Sequence, residues 1–206
     1  MNRINQLIII TGIISSLALS AEKLKSFVDK EKSNITWIAT KVTGEHNGEI
    51  TMNKSYVELE NNKVTGGMFV IDMNSITNSD VESAEWNGKL VGHLKSNDFF
   101  DVENFPIAIF TITKAEAKKP SDEDKSNYKL YGDLMIKGIS HPIEFLAKVH
   151  FHNNAAHATG NITLDRTLWD IQYRSGKFFE SLGDKLIYDN FDIKFIDYER
   201  SCCSMI

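Results

Sequence analysis

The chain has 206 residues and carries 23 Lys and Arg against 28 Asp and Glu, a net charge of −5. This acidic, well-mixed balance argues against nucleic acid and anionic membrane as partners, because both reward clustered Lys and Arg. The two cysteines, Cys202 and Cys203, sit side by side near the end of the chain. A fold stapled by disulfides is thereby excluded, and packing must hold the core.

Residues Leu7 to Leu19 form an apolar run too short to span a bilayer comfortably, preceded by Arg3 and followed by the small residues Ser20 and Ala21. The pattern predicts a signal peptide over residues 1–20, cut before Ala21 or just after it. The expectation is export to the periplasm, with secretion as the alternative, and no stable membrane insertion. Removing the segment leaves 22 cations against 28 acids, a charge of −6. What remains suits one domain, placed at residues 25–198, with a flexible tail at 199–206.

From there the apolar residues alternate with polar ones, the period-2 mark of half-buried strands. Strands are expected at Ile35 to Val42, at Tyr56 to Leu59, and around Phe69, Ile71 and Met73, which share a face. The period then breaks. Ser79-Asp80-Val81-Glu82 has the form of a capping box, and Trp86, Leu90 and Leu94 recur at helical spacing. An amphipathic helix is predicted, weakened by Gly88 and Gly92 and held down by its Trp86 face.

Alternation returns with Ile107, Ile109 and Thr111 on one face, and a charged loop follows from Lys114 to Asn127. Next come Leu130, Gly132, Leu134 and Ile136, then Ile143, Phe145, Ala147, Val149 and Phe151. Ile162 and Leu164 precede a final row of Phe191, Ile193 and Phe195. Reversals are placed at His46-Asn47-Gly48, Asn61-Asn62, Lys137-Gly138, Asn153-Asn154 and Leu182-Gly183-Asp184. About eight strands joined this way predict an all-β fold: an antiparallel barrel with the short helix capping one end. A two-sheet sandwich is the alternative.

Four stretches carry more specific signals: His93 to Phe110, which reads HLKSNDFFDVENFPIAIF; Tyr131 to Pro142; Leu164 to Trp169; and Arg174 to Phe179. Together they closely resemble the signature of the YceI-like family, and in register the likeness runs from about Phe27 to Tyr198. The resemblance implies a periplasmic, lipocalin-like barrel that carries polyisoprenoids or quinones. The sequence itself implies a partner that is long and apolar, and a homodimer stays open.

Four aromatics in irregular segments, Phe99, Phe100, Phe178 and Phe179, are costly to leave in water and are expected to be buried. With Trp86, Leu90, Phe110 and Phe145 they are the candidates for the wall of an apolar cavity, against the alternative of an ordinary filled core. Head-group candidates are His93, Asp98, Arg166 and Arg174, since Arg forks onto phosphate or carboxylate. For Arg166 the competing reading is an Arg–Asp pair that fixes the geometry of the mouth.

His150, His152 and His157 could gather on one surface, with His157 across from His152, but no acid or cysteine completes a shell and no metal is assigned. No cofactor motif, nucleophile elbow or phosphate loop is present, so the chain is read as not an enzyme. The alternatives are an envelope enzyme using some of His93, Asp98, Asp101 and Arg166, or a stress-linked structural protein on the same barrel.

Overall fold

The computed structural model describes residues 23–152 and 155–200, so the segment expected to be a signal peptide, Asn153-Asn154 and both cysteines lie outside the described residues. Nine strands follow in chain order: β1 (Lys23–Val28), β2 (Asn34–Lys41), β3 (Gly44–Glu60), β4 (Lys63–Asp72), β5 (Ile107–Ala117), β6 (Tyr128–Ile136), β7 (Ile139–His152), β8 (Ala155–Asp165) and β9 (Ile187–Arg200). One α-helix, α1 (Ala84–Lys95), stands between β4 and β5.

All pairings are antiparallel, and the sheet closes on itself. From β2 it runs through β9, β8, β7, β6, β5 and β4 to β3, which pairs back onto β2. The first strand is the exception that explains the count. β1 lies along the second half of β3, with Phe27 opposite Tyr56, while β2 lies along the first half, with Ile35 opposite Ile50. Both also touch β9. They form one interrupted strand, so the barrel has eight positions and no open edge.

The inward rows follow the pleat. On β6 every second residue from Tyr128 to Ile136 is buried, and on β7 Phe145, Ala147 and Val149 are buried while His150 and His152 face out. On β5 the inward row is Ala108, Phe110 and Ile112. The expected Ile107, Ile109 and Thr111 row is the outer one: where both rows are apolar, alternation alone does not say which is inside.

The hairpins at Asn61-Asn62 and Lys137-Gly138 are where the sequence puts them, and all four residues have positive φ. That is the backbone a two-residue turn needs to match strand twist. His46-Asn47-Gly48 is not a turn. Those residues lie inside β3 opposite Ala39, Ile38 and Trp37, and the reversal falls at Val42-Thr43. Gly48 is there for space, since a Cβ would lie 1.9 Å from the carbonyl oxygen of Thr77. Lys114 to Ala117 belong to β5, which shortens the charged loop. Leu182-Gly183-Asp184 begins a single 3-10 turn, Gly183–Lys185, leading into β9.

The helix starts later than its capping box suggests. Ser83 is the N-cap, its hydroxyl accepting from the Trp86 amide at 3.5 Å. The Ser79 position is taken up in tying the loop to β3, its amide donating to the carbonyl of Asn47. Only Leu94 of α1 is buried, and Trp86 is 62% exposed. The C-terminal turn of α1 therefore covers the barrel end, and the Trp86 face does not hold the helix down.

Candidate functional site

The inward rows do not fill the barrel. They enclose a cavity of about 210 Å³, well over ten times the ~10–15 Å³ that admits one water. Its wall is apolar apart from Arg166, Tyr188 and Asp197. Four rings form a continuous course along it: Phe69 stacks on Phe110 at 6.2 Å, Phe110 meets Phe145 at 5.4 Å, and Phe145 meets Phe195 edge-on at 5.7 Å. Two glycines seat this course. A Cβ on Gly132 would lie 2.5 Å from the Phe110 ring, and one on Gly160 would lie 2.6 Å from the Phe195 ring. Phe110 and Phe195 thus lie close over glycine backbone.

Among the cavity candidates, Phe99, Phe100, Phe110 and Phe145 line the space. Trp86 and Leu90 are not in its wall. Phe178 and Phe179 are each 48% exposed, which corrects the expectation that both must be buried. Their amides donate to the carbonyl of Ser175, winding them into a tight turn that presents the rings outward. With Trp86, Leu168 and Tyr188 they leave large apolar groups in solvent at the helix-bearing end.

Of the head-group candidates only His93 and Asp98 meet, and the set does not converge on one point. His93 donates through Nε2 to Asp98 at 3.1 Å and packs against Phe99 and Tyr173, with ring centres 5.0 and 4.5 Å away. Asp101, at positive φ, accepts from the Asn104 amide group and builds the turn after α1. Arg174 lies over the Tyr173 ring at 5.0 Å. None of these borders the cavity.

Arg166 does border it, and its donors are already engaged. Nε donates to the carbonyl of Tyr188 at 3.2 Å, Nη1 to Ile171 at 2.8 Å and Nη2 to Ile187 at 3.0 Å, while Asp189 lies 3.3 Å from Nη2. Burial pulls the guanidinium below its ordinary range, opposed by Asp189 and Asp165. The side chain fastens the short 3-10 helix Arg166–Trp169 to the start of β9. Next to it Trp169 is fully buried and donates to the carbonyl of Leu134, and His141 donates to the carbonyl of Leu168. The motifs at Tyr131 to Pro142 and Leu164 to Trp169 thus interlock into one barrel end.

On the outer wall His157 stands opposite His150, and His152 opposite Ala155. The expected His152–His157 pairing is off by one step of the pleat, because the register sets His152 against Ala155. Among the described residues no three metal-ligating side chains converge.

Sequence reasoning missed one residue. Asp197 is 1% exposed and lies in the cavity wall. It continues the row Phe191, Ile193, Phe195 by one step, so an acid at an inward position was the signal.

The profile of the YceI-like domain matches residues 27–196. The chain belongs to that family. No curated protein matches the sequence. Among solved structures, this YceI-like barrel is similar to BcnA of Burkholderia cenocepacia, with a TM-score of 0.60 and 18% identity, covering 83% of this chain and 98% of that one. It is also similar to a polyisoprenoid-binding domain from Saccharophagus degradans implicated in plant cell wall breakdown, with a TM-score of 0.60 and 11% identity, covering 88% and 100%. At these identities the likeness bears on the fold. Both neighbours are spanned almost end to end, so the YceI-like match takes in the whole barrel.

Proposed function

We propose that this YceI-like barrel is an exported, non-enzymatic carrier that holds a long apolar lipid of the isoprenoid kind, a polyisoprenoid or an isoprenoid quinone. The observation that carries this reading is the closed barrel with a connected, almost wholly apolar cavity in place of a filled core. Each buried methylene of such a chain contributes about 0.8 kcal/mol, so uptake needs no covalent step. The polyisoprenoid-binding name of the Saccharophagus degradans neighbour supports the ligand class. The division of the His93–Asp98 pair, Asp101 and Arg166 among three separate structural tasks supports a binding role over a catalytic one. Export rests on the apolar run from Leu7 to Leu19.

Protein purified from its own envelope, studied by native mass spectrometry and lipid extraction, tests the proposal. A stoichiometric isoprenoid adduct is the expected result, and protein that is consistently lipid-free would overturn it. N-terminal sequencing of the same material should begin at Ala21 or Glu22. An intact Met1 in the membrane fraction would remove the export half of the proposal.

A further inference from the structure

The two charged side chains that line the cavity among the described residues stand at opposite ends of the barrel. Arg166 binds the carbonyl of Ile187 at the start of β9. Asp197 is ten residues further along the same strand, roughly 33 Å away at ~3.3 Å per residue. The helix end and the β1 end of the cavity therefore differ in chemistry. At the helix end the cation is committed to main-chain carbonyls and Asp189. At the β1 end the acid has one partner: Oδ1 accepts from the Ser33 hydroxyl at 3.2 Å, and Oδ2 has none among the described residues.

An ionised carboxylate in that position would be a buried charge with neither counter-ion nor full hydration, which is costly. Protonation is the cheaper state. Burial pushes the Asp197 carboxyl up to about 7, with the Ser33 hydroxyl acting weakly the other way. A neutral carboxylic acid supplies one O–H donor and keeps acceptor capacity. In a wall that otherwise offers hydrocarbon, that group is what a ligand's polar atom can find.

We propose that the Asp197 carboxyl is a buried anchoring site for a neutral, oxygen-bearing terminus of the ligand, a hydroxyl or a carbonyl, which enters first and seats at the β1 end. The inference rests on the carrier reading and narrows it. A diphosphate terminus is disfavoured there, because the site offers an acid and the cavity's cation lies at the far end with its donors engaged. The apolar tail then runs back along the course of Phe rings toward Arg166.

The test uses three probes with the same carbon skeleton: geranylgeraniol, geranylgeranyl diphosphate and phytane. Binding to the delipidated mature protein is followed by tryptophan fluorescence, since Trp37 lines the cavity. One hydrogen bond made in a dry site predicts about a tenfold preference for the alcohol over the hydrocarbon. Asp197→Asn keeps shape and a donor and should retain most of that preference. Asp197→Leu should erase it while binding phytane at least as well, with circular dichroism confirming the fold in both variants. A preference that survives in Asp197→Leu, or is already lost in Asp197→Asn, overturns the anchoring role. So does tighter binding of the diphosphate than of the alcohol by the unaltered protein. Failure of all three probes to bind would instead count against the carrier reading itself.

Discussion

Asp197 shows what a single residue does to this barrel and why it was hard to read. In a sequence, an acid near the end of an alternating strand looks like a strand leaving the core, and the chain carries 28 acids. Only closure of the barrel around β9 makes its position interior. Its energetic mark should be visible in stability. In the unfolded chain the carboxyl titrates near 3.8, and in the fold near 7. Between those values the folded state holds a proton that the unfolded state has released, so stability falls as pH rises from about 4 to about 7 and then levels off. No charged side chain contributes to the shift, only burial and Ser33. The full loss is of order 4 kcal/mol. Urea melts at about pH 5 and about pH 8 should therefore show Asp197→Asn gaining on the unaltered protein by several kcal/mol at the higher pH. An unchanged gap between the two would mean that Asp197 is hydrated and ionised in the fold.

At the scale of elements, the hairpins and inward rows of β6, β7 and β9 were legible because their turns and pleats are set locally. What was not legible was set by other elements. The start of α1 is decided by Asn78, which donates to the carbonyl of Asn47 and accepts from the Val81 amide, leaving Ser83 to cap. The exposure of Trp86 follows from α1 packing on the core through Leu90 and Leu94, in its later turns. Gly88 and Gly92 accordingly face open space, with nothing within 4 Å of an added Cβ. Gly88→Ala and Gly92→Ala should each stabilise the protein by about 0.5–1 kcal/mol, read as a higher thermal midpoint. A loss would show that this face packs on something.

Arg166 is the opposite case, an element junction read in advance as either a head-group clamp or a structural pair. Its contacts to Ile171, Tyr188, Ile187 and Asp189 make it the tie between the 3-10 helix and β9. Lys has one nitrogen where Arg has a fork of three, so Arg166→Lys leaves buried carbonyls unmet. A cost of about 2–4 kcal/mol is expected, with charged and neutral lipids of equal tail weakened alike. Selective loss of the charged lipid alone would restore the clamp.

At the scale of the whole molecule, about eight strands could be counted from the sequence, but closure could not. It depends on β1 and β2 sharing one position, and the break between them at residues 29–33 looks like any other loop. The interruption matters because β1 completes the end of the barrel where Asp197 sits. Ser26 of β1 is fully buried, and Phe27 and Val28 pair with the last residues of β9. A protein shortened to begin at Asp29 would keep a full ring at the helix end and open a gap at the other. The β3 segment from Tyr56 to Glu60 would lose its β1 partners and become a free edge, a template for another copy. Water would also reach Asp197, returning its carboxyl toward the ordinary range. The shortened protein should therefore self-associate in light scattering, lose amide protection at Tyr56 to Glu60, and lose the decline in stability between about pH 4 and about pH 7. If its association state is unchanged and the other two properties are intact, β1 is an appendage and the barrel is closed by β2 alone.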